Sequence, residues 1–183
     1  MTGSVRDKWG TAINKEITGL FDNNTFGLEE NPLPNDEIIP TKLALKAKLN
    51  SYGGLHKLKG RVCFRGDMQE KNQMNLWSPT ASVRLLKRFL ADAIKHGATI
   101  YQLDFIQAFI QTDTQRRIFV TLDKEYKIFS PQLSQHLGRP LHLKKCLYGA
   151  DFSGKAWYNN LDTFLREKLG FERSMVEGCL YIY

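Results

Sequence analysis

Asp104 is set apart by the residues around it. It interrupts residues 101–110, YQLDFIQAFI, a run that otherwise has the apolar character of a strand. At a two-residue period Tyr101, Leu103 and Phe105 fall on one face, and Ile100, Gln102 and Asp104 on the other. A carboxylate buried unpaired in such a run costs on the order of several kcal/mol or gives up its charge. It therefore calls for hydrogen-bond donors, a basic side chain or a metal ion. Ala108 and Phe109 follow, and this small-then-aromatic step suggests a tight turn closing over whatever Asp104 holds. A strand-end carboxylate that caps the turn at 106–112 is the plainer reading of the same residue.

A second group of residues has a charge pattern. Lys57, Lys59, Arg61 and Arg65 share odd parity, whereas Leu58, Val62 and Phe64 are even. A strand there has one basic and one apolar face. Upstream, Leu43, Leu45, Ala47 and Leu49 alternate with Lys42, Lys46 and Lys48, and Ser51-Tyr52-Gly53-Gly54 supplies a turn. Residues 38–65 thus form a hairpin. Its basic face is either an ordinary solvated surface or one that grips phosphate.

These residues must be positioned by the elements around them. Trp9, Ile13, Ile17 and Leu20 recur at helical spacing, which predicts a helix over 6–21, ended by the turn-rich stretch 23–36 with Pro32 and Pro34. Residues 66–80 have no sustained period and read as a loop. Ser82 caps a helix with apolar positions Leu85, Leu86, Phe89, Leu90, Ala93 and Ile94, stopped by Gly97. Strands are expected over 117–122 and 141–147, with a loop containing Pro131 and Pro140 between them. A further helix runs through Ala156, Trp157, Leu161, Leu165 and Leu169 to Gly170, and residues 179–183, CLYIY, begin another strand. This unalternated mixture argues for an α+β fold in which helices back an antiparallel sheet.

The 183 residues suit one domain, or one and a piece of another. Lysine and arginine outnumber aspartate and glutamate by 26 to 19, and the net charge of +7 favours a polyanionic partner such as nucleic acid. Cys63, Cys146 and Cys179 are too scattered for a disulfide framework or a zinc knuckle. His56, His96, His136 and His142 also lack metal-ligand spacing. With no signal-peptide pattern and no apolar run of about 18 residues, the expectation is an intracellular protein that is neither secreted nor membrane-spanning.

Taken in order, several stretches resemble the reverse transcriptase of Ty1/copia-type retrotransposons. Trp9, Ala12, Glu16, Leu20 and Asn24-Thr25-Phe26 follow its opening pattern, and Ile39-Pro40-Thr41-Lys42 is similar to its I-P-x-K-W strand. LKGRVCFRGDMQ (58–69) resembles K-A-R-L-V-A-K-G-x-x-Q, and Ser78-Pro79 with Arg84 resembles F-S-P…R. YQLDFIQAFI resembles Q-x-D-V-x-x-A-F-L, the first catalytic motif. LYGADFSGKAWY (147–158) resembles L-Y-G-L-K-Q-A-P-R-A-W-Y, and LGFERSMVEGCLY resembles G-F-x-x-S-x-x-D-x-C-L-F.

The resemblance implies an RNA-directed DNA polymerase that joins a primer 3′-hydroxyl to a dNTP on an RNA template paired with a DNA primer, within a Pol polyprotein. Its expected architecture is polymerase fingers with a partial palm: an N-terminal helix and fingers-like region over 1–97, and palm over 98–183. Asp104 would be the catalytic, metal-binding aspartate, with the backbone carbonyl of Phe105 as a further ligand to Mg²⁺. Lys59, Arg61 and Arg65 would clamp the triphosphate. Phe109 would exclude a 2′-hydroxyl, and Gly149 would let the backbone approach the templating pair.

Two departures qualify this. Asp151 and Gly154 stand where the family has Lys and Pro, which alters the turn beside the nucleotide pocket. No Tyr-x-Asp-Asp occurs in the 183 residues, so the expectation is a polymerase truncated before its second catalytic motif and inactive alone. The alternatives are a non-catalytic nucleic-acid-binding module and a plain interaction domain.

Overall fold

The computed structural model describes residues 5–70 and 76–183. The amphipathic period at the N-terminus becomes helix α1 (Val5–Asp22), which buries Ile13, Ile17 and Leu20. A short strand β1 (Phe26–Gly27) follows. The predicted hairpin is formed by β2 (Glu37–Leu49) and β3 (Leu55–Phe64), paired antiparallel with Leu43 opposite Val62 and Lys46 opposite Lys59.

β4 (Ile118–Thr121) and β5 (Pro140–Leu143) complete a five-stranded sheet in the order β1-β5-β4-β2-β3. The sheet is mixed, not antiparallel as expected, because Glu37–Pro40 of β2 runs parallel to β4. Parallel neighbours need a long crossover, and the 68 residues from 50 to 117, β3 among them, provide it. β2 thus serves two partners: its first residues lie on β4 and the remainder on β3.

The core lies where α1 crosses this sheet. Ile13, Ile17 and Leu20 pack with Ile39, Val62, Phe64, Val120, Leu141, Leu143 and Leu147, all buried. Each such side chain contributes roughly 1.5–3 kcal/mol relative to exposure. The segment between β4 and β5, expected as a loop, forms two 3₁₀ turns, Lys124–Ile128 and Pro131–His136. They seat Tyr126 and Leu133 against the core.

α2 (Val83–Lys95) begins as its sequence requires, with the Ser82 hydroxyl accepting the Leu85 N–H at 3.1 Å. Its apolar stripe is largely uncovered: Ala93 is buried, but Phe89 is 50% and Ile94 79% exposed. α3 (Ser153–Thr163) continues through a π-turn, Phe164–Lys168, and ends at Gly170 with φ +74°. The last strand signal appears as β7 (Tyr181–Ile182), which pairs with β6 (Glu172–Arg173) apart from the main sheet. In the expected loop over 66–80, Gly66–Met68 makes a 3₁₀ turn, and residues 71–75, including Asn72 and Asn75, lie outside the described residues.

The strand expected over 100–105, ahead of the turn at 106–112, does not form. Residues 98–105 have no regular structure, and a tight turn plus a 3₁₀ turn, Ala108–Gln111, follows. Tyr101 and Leu103 are 83% and 85% exposed. A strand is stable only when a neighbour takes its backbone hydrogen bonds, and among the described residues none pairs with this segment.

Candidate functional site

The hairpin determines where the cations stand. Antiparallel register sets Lys48 opposite Lys57, Lys46 opposite Lys59 and Ala44 opposite Arg61. Lys42, Lys46, Lys48, Lys57, Lys59 and Arg61 therefore share one face of the ribbon. Directly opposed like charges destabilise a sheet, so this face carries a cost within the isolated chain. Partial burial, followed by the repulsion of Arg61 and Lys48, pulls the Lys59 ammonium below its ordinary pKa. Arg65 differs from the others. Its guanidinium is engaged by Asp67, with Nη2 to Oδ2 at 2.6 Å and Nε to Oδ1 at 2.9 Å. That partner lowers the Asp67 carboxyl to about 2.

The inner end of the ribbon meets two turns. The guanidinium of Arg61 lies over the Tyr148 ring, 4.7 Å from its centroid. Tyr148 in turn packs edge-on against Phe109 at 4.8 Å. The chain here is fixed by the Phe64 N–H donating to the Tyr148 carbonyl at 2.7 Å. Gly149 follows with φ +94°, and a Cβ on it would collide with the Phe64 carbonyl oxygen. Gly66 faces the Gly149 carbonyl just as closely. The bare backbone of Gly149 is thus already used within the chain, in locking its turn to the end of β3.

Phe109 is placed by an uncommon backbone. Gln107 adopts φ +52°, a left-handed conformation that non-glycine residues seldom take, and it starts the 3₁₀ turn that presents Phe109 to Tyr148. The Gln111 amide holds the turn by donating to the Ile106 carbonyl at 2.7 Å. This is the tight turn expected after Asp104. Phe105 packs its ring on Trp157 of α3 at 5.1 Å, while Asp104 beside it is exposed, not buried as the apolar run suggested.

The donor set at Asp104 does not by itself fit Mg²⁺. The ion takes about six oxygens in octahedral array. Here there is one carboxylate with the neighbouring Phe105 carbonyl, and among the described residues no three His, Cys, Asp or Glu side chains converge on a cation site. Two of the four histidines have other partners. His142 Nδ1 pairs with Glu30 Oε1 at 2.9 Å, and His136 lies against Phe21.

The geometry and the motif order can now be set beside known proteins. The sequence pattern of the family described as reverse transcriptase (RNA-dependent DNA polymerase) matches residues 23–183. The chain belongs to this reverse transcriptase family. It is 28% identical over 181 residues to the retrovirus-related Pol polyprotein from transposon RE2 of Arabidopsis thaliana, covering 96% of this chain and 12% of that protein. The corresponding RE1 polyprotein is 26% identical over the same length. The truncated transposon Ty1-A Gag-Pol polyprotein of Saccharomyces cerevisiae is 25% identical over 183 residues, 96% of this chain and 14% of its own. The chain therefore spans about an eighth of these Ty1/copia-type relatives. No solved structure matches it.

Within this reverse transcriptase chain, the departure at Asp151 has a local explanation. Asp151 pairs with Arg116 at 3.4 Å, both side chains mostly buried, and Arg116 lies over the Phe152 ring. Tyr148, Gln107, Asp67 and Glu16 were not singled out for the site by sequence reasoning. All four lie within recognised motifs, and a turn without glycine or proline gives no warning of the strained Gln107. Glu16 accepts the Val62 N–H at 3.3 Å, at the sheet edge behind the ribbon. Burial raises its carboxyl, against the pull of that hydrogen bond and of Arg61 and Lys59. Among the described residues no helix is long and apolar enough to cross a membrane.

Proposed function

We propose that these residues are the fingers (1–97) and part of the palm (98–183) of a Ty1/copia-type reverse transcriptase, binding a dNTP against an RNA template and DNA primer. The observation that carries this reading is the chain of contacts from Arg61 through Tyr148 to Phe109. It links the cationic ribbon to the turn that follows Asp104. Lys59 and Arg61 hold the triphosphate, Arg61 by a planar fork steadied on Tyr148 and Lys59 as a point charge. Arg65, engaged by Asp67, joins them only if phosphate displaces that carboxylate. Phe109 stands where an aromatic face meets the sugar, and Gly149 keeps the adjoining backbone free of a side chain.

Asp104 and the Phe105 carbonyl supply two oxygens of the donor set that nucleotidyl transfer requires. Tyr-x-Asp-Asp carboxylates are absent from these 183 residues, so in this proposal the 183 residues bind nucleotide and do not join it to a primer. The deciding experiment is titration of a fluorescent dNTP into the wild-type chain and Lys59→Glu/Arg61→Glu. Loss of two charge-assisted contacts lowers affinity at least about tenfold. Equal affinity would refute the assignment.

A second reading, a non-catalytic nucleic-acid-binding module, is favoured by one observation. The distal ribbon, including Lys46, Lys48 and Lys57, stands in solvent well away from the Tyr148 contact. Salt-dependent nucleic-acid binding with no triphosphate affinity would select it.

A further inference from the structure

The ribbon of β2 and β3 ends in a crown that is apolar as well as cationic. Leu49 and Leu55 are its last paired residues. Both are at least half exposed, and Tyr52 between them is 95% exposed. Behind them the register sets Lys48 opposite Lys57 and Lys46 opposite Lys59, within about 10 Å of the leucines at roughly 3.4 Å per residue. Residues 38–66 hold seven lysines and arginines and no aspartate or glutamate. The start of α1 adds Lys8 and Lys15 beside Leu55 and Lys57, against Asp7 of the same helix. The turn is held by its own groups. The Asn50 side-chain oxygen accepts the Tyr52 and Gly54 N–H groups at 3.0 and 2.8 Å. The Asn50 N–H donates to the Gly54 carbonyl at 2.8 Å and the Gly53 N–H to the Asn50 carbonyl at 3.1 Å.

We propose that the tip of this ribbon docks on an anionic lipid bilayer. Leu49, Tyr52 and Leu55 enter the boundary between headgroups and acyl chains, and the lysines behind them meet the acidic headgroups. Interfacial binding combines apolar side chains that reach about 5–10 Å into that boundary with cations close behind them. The ribbon places its lysines at that depth, where each adds about fivefold in affinity on an anionic surface. Their aliphatic stems lie along apolar surface while the ammonium groups stay in water. Tyrosine suits the boundary because its ring is apolar and its hydroxyl wet. Backbone donors that enter such a medium must be satisfied from within, and those of Asn50, Tyr52, Gly53 and Gly54 are. The two leucines distinguish this surface from one that grips phosphates along a nucleic acid, which uses the cations and leaves an aliphatic crown in water.

Docking at the tip does not depend on nucleotide binding at Arg61, and the test separates the two. The 183-residue chain is sedimented with vesicles of phosphatidylcholine alone or of equal parts phosphatidylcholine and phosphatidylserine. Wild type should bind the mixed vesicles and not the neutral ones, and added salt should weaken the binding. Leu49→Ser/Leu55→Ser should lower the partition at least about tenfold, with affinities for dNTP and for oligo(dT) equal to wild type. Lys46→Gln/Lys48→Gln should lower it about tenfold or more. Tyr52→Trp should gain fluorescence that shifts to shorter wavelength on mixed vesicles and is quenched by brominated acyl chains, beyond any change in wild type. That variant carries the test if the leucine variant fails to fold. No binding of wild type to mixed vesicles, equal partition of the leucine variant, or a tryptophan at position 52 that neither shifts nor is quenched would overturn the proposal. So would a matching fall in oligo(dT) affinity in the leucine variant, which would assign the crown to nucleic acid.

Discussion

Glu16 shows how one side chain can serve the fold at a cost that depends on pH. Its carboxylate closes the open edge of β3, yet burial holds its pKa above the ordinary value. A carboxyl raised in the folded state favours folding when protonated. Its contribution is therefore full below the usual carboxylate range and is lost as pH rises through the raised value. Glu16→Gln retains an oxygen for the Val62 N–H and removes the buried charge. Thermal melts should show the variant equal to wild type at pH 4 and more stable by about 1–2 °C at pH 7. A lower melting temperature at pH 7 would mean that attraction to Arg61 and Lys59 outweighs desolvation. At Gly149 the expectation is simpler, since φ +94° and the Phe64 carbonyl both oppose a side chain. Gly149→Ala should cost roughly 2–4 kcal/mol in urea unfolding.

The elements differ in how firmly the chain holds them. The ribbon is anchored at its inner end, where Val62 and Phe64 enter the core, and projects at its tip, where Leu49 is 63% exposed. α2 is secured at its start. Ser82 caps the helix and donates its hydroxyl proton to Glu177 at 3.0 Å, tying α2 to the turn before β7. Ser82→Ala should therefore lose about 1 kcal/mol from the cap, with a further loss from the freed Glu177. Amide exchange would show faster exchange at Leu85 and in the 174–180 turn. Protection unchanged at the turn would mean that the Glu177 contact holds nothing. Glu177 aligns with a family aspartate, and here its work is structural.

At the scale of the whole molecule the exposed face of α2 and the unpaired segment 98–105 stand out. Both are apolar and uncovered among the described residues, and the chain spans about an eighth of its relatives' length. In the proposed reading, catalysis waits on carboxylates these residues do not contain. Primer extension with Mg²⁺ and dNTPs should yield no product from the wild-type chain and none from Asp104→Ala. Product from the wild type that is lost in Asp104→Ala would show that one carboxylate site suffices. The sequence by itself determined the family, the hairpin, the three helices and the parity that makes one ribbon face basic. Those follow from local periodicity, capping and motif order, which are written in neighbouring residues. Only the tertiary structure decided that Arg61 rests on Tyr148, that β2 pairs with β4 in parallel, and that Asp104 stands exposed on a segment with no strand beside it among the described residues. Each of these depends on residues distant in the chain. Residues 100–105 alternate as a strand does, but a strand exists only where another backbone takes its hydrogen bonds.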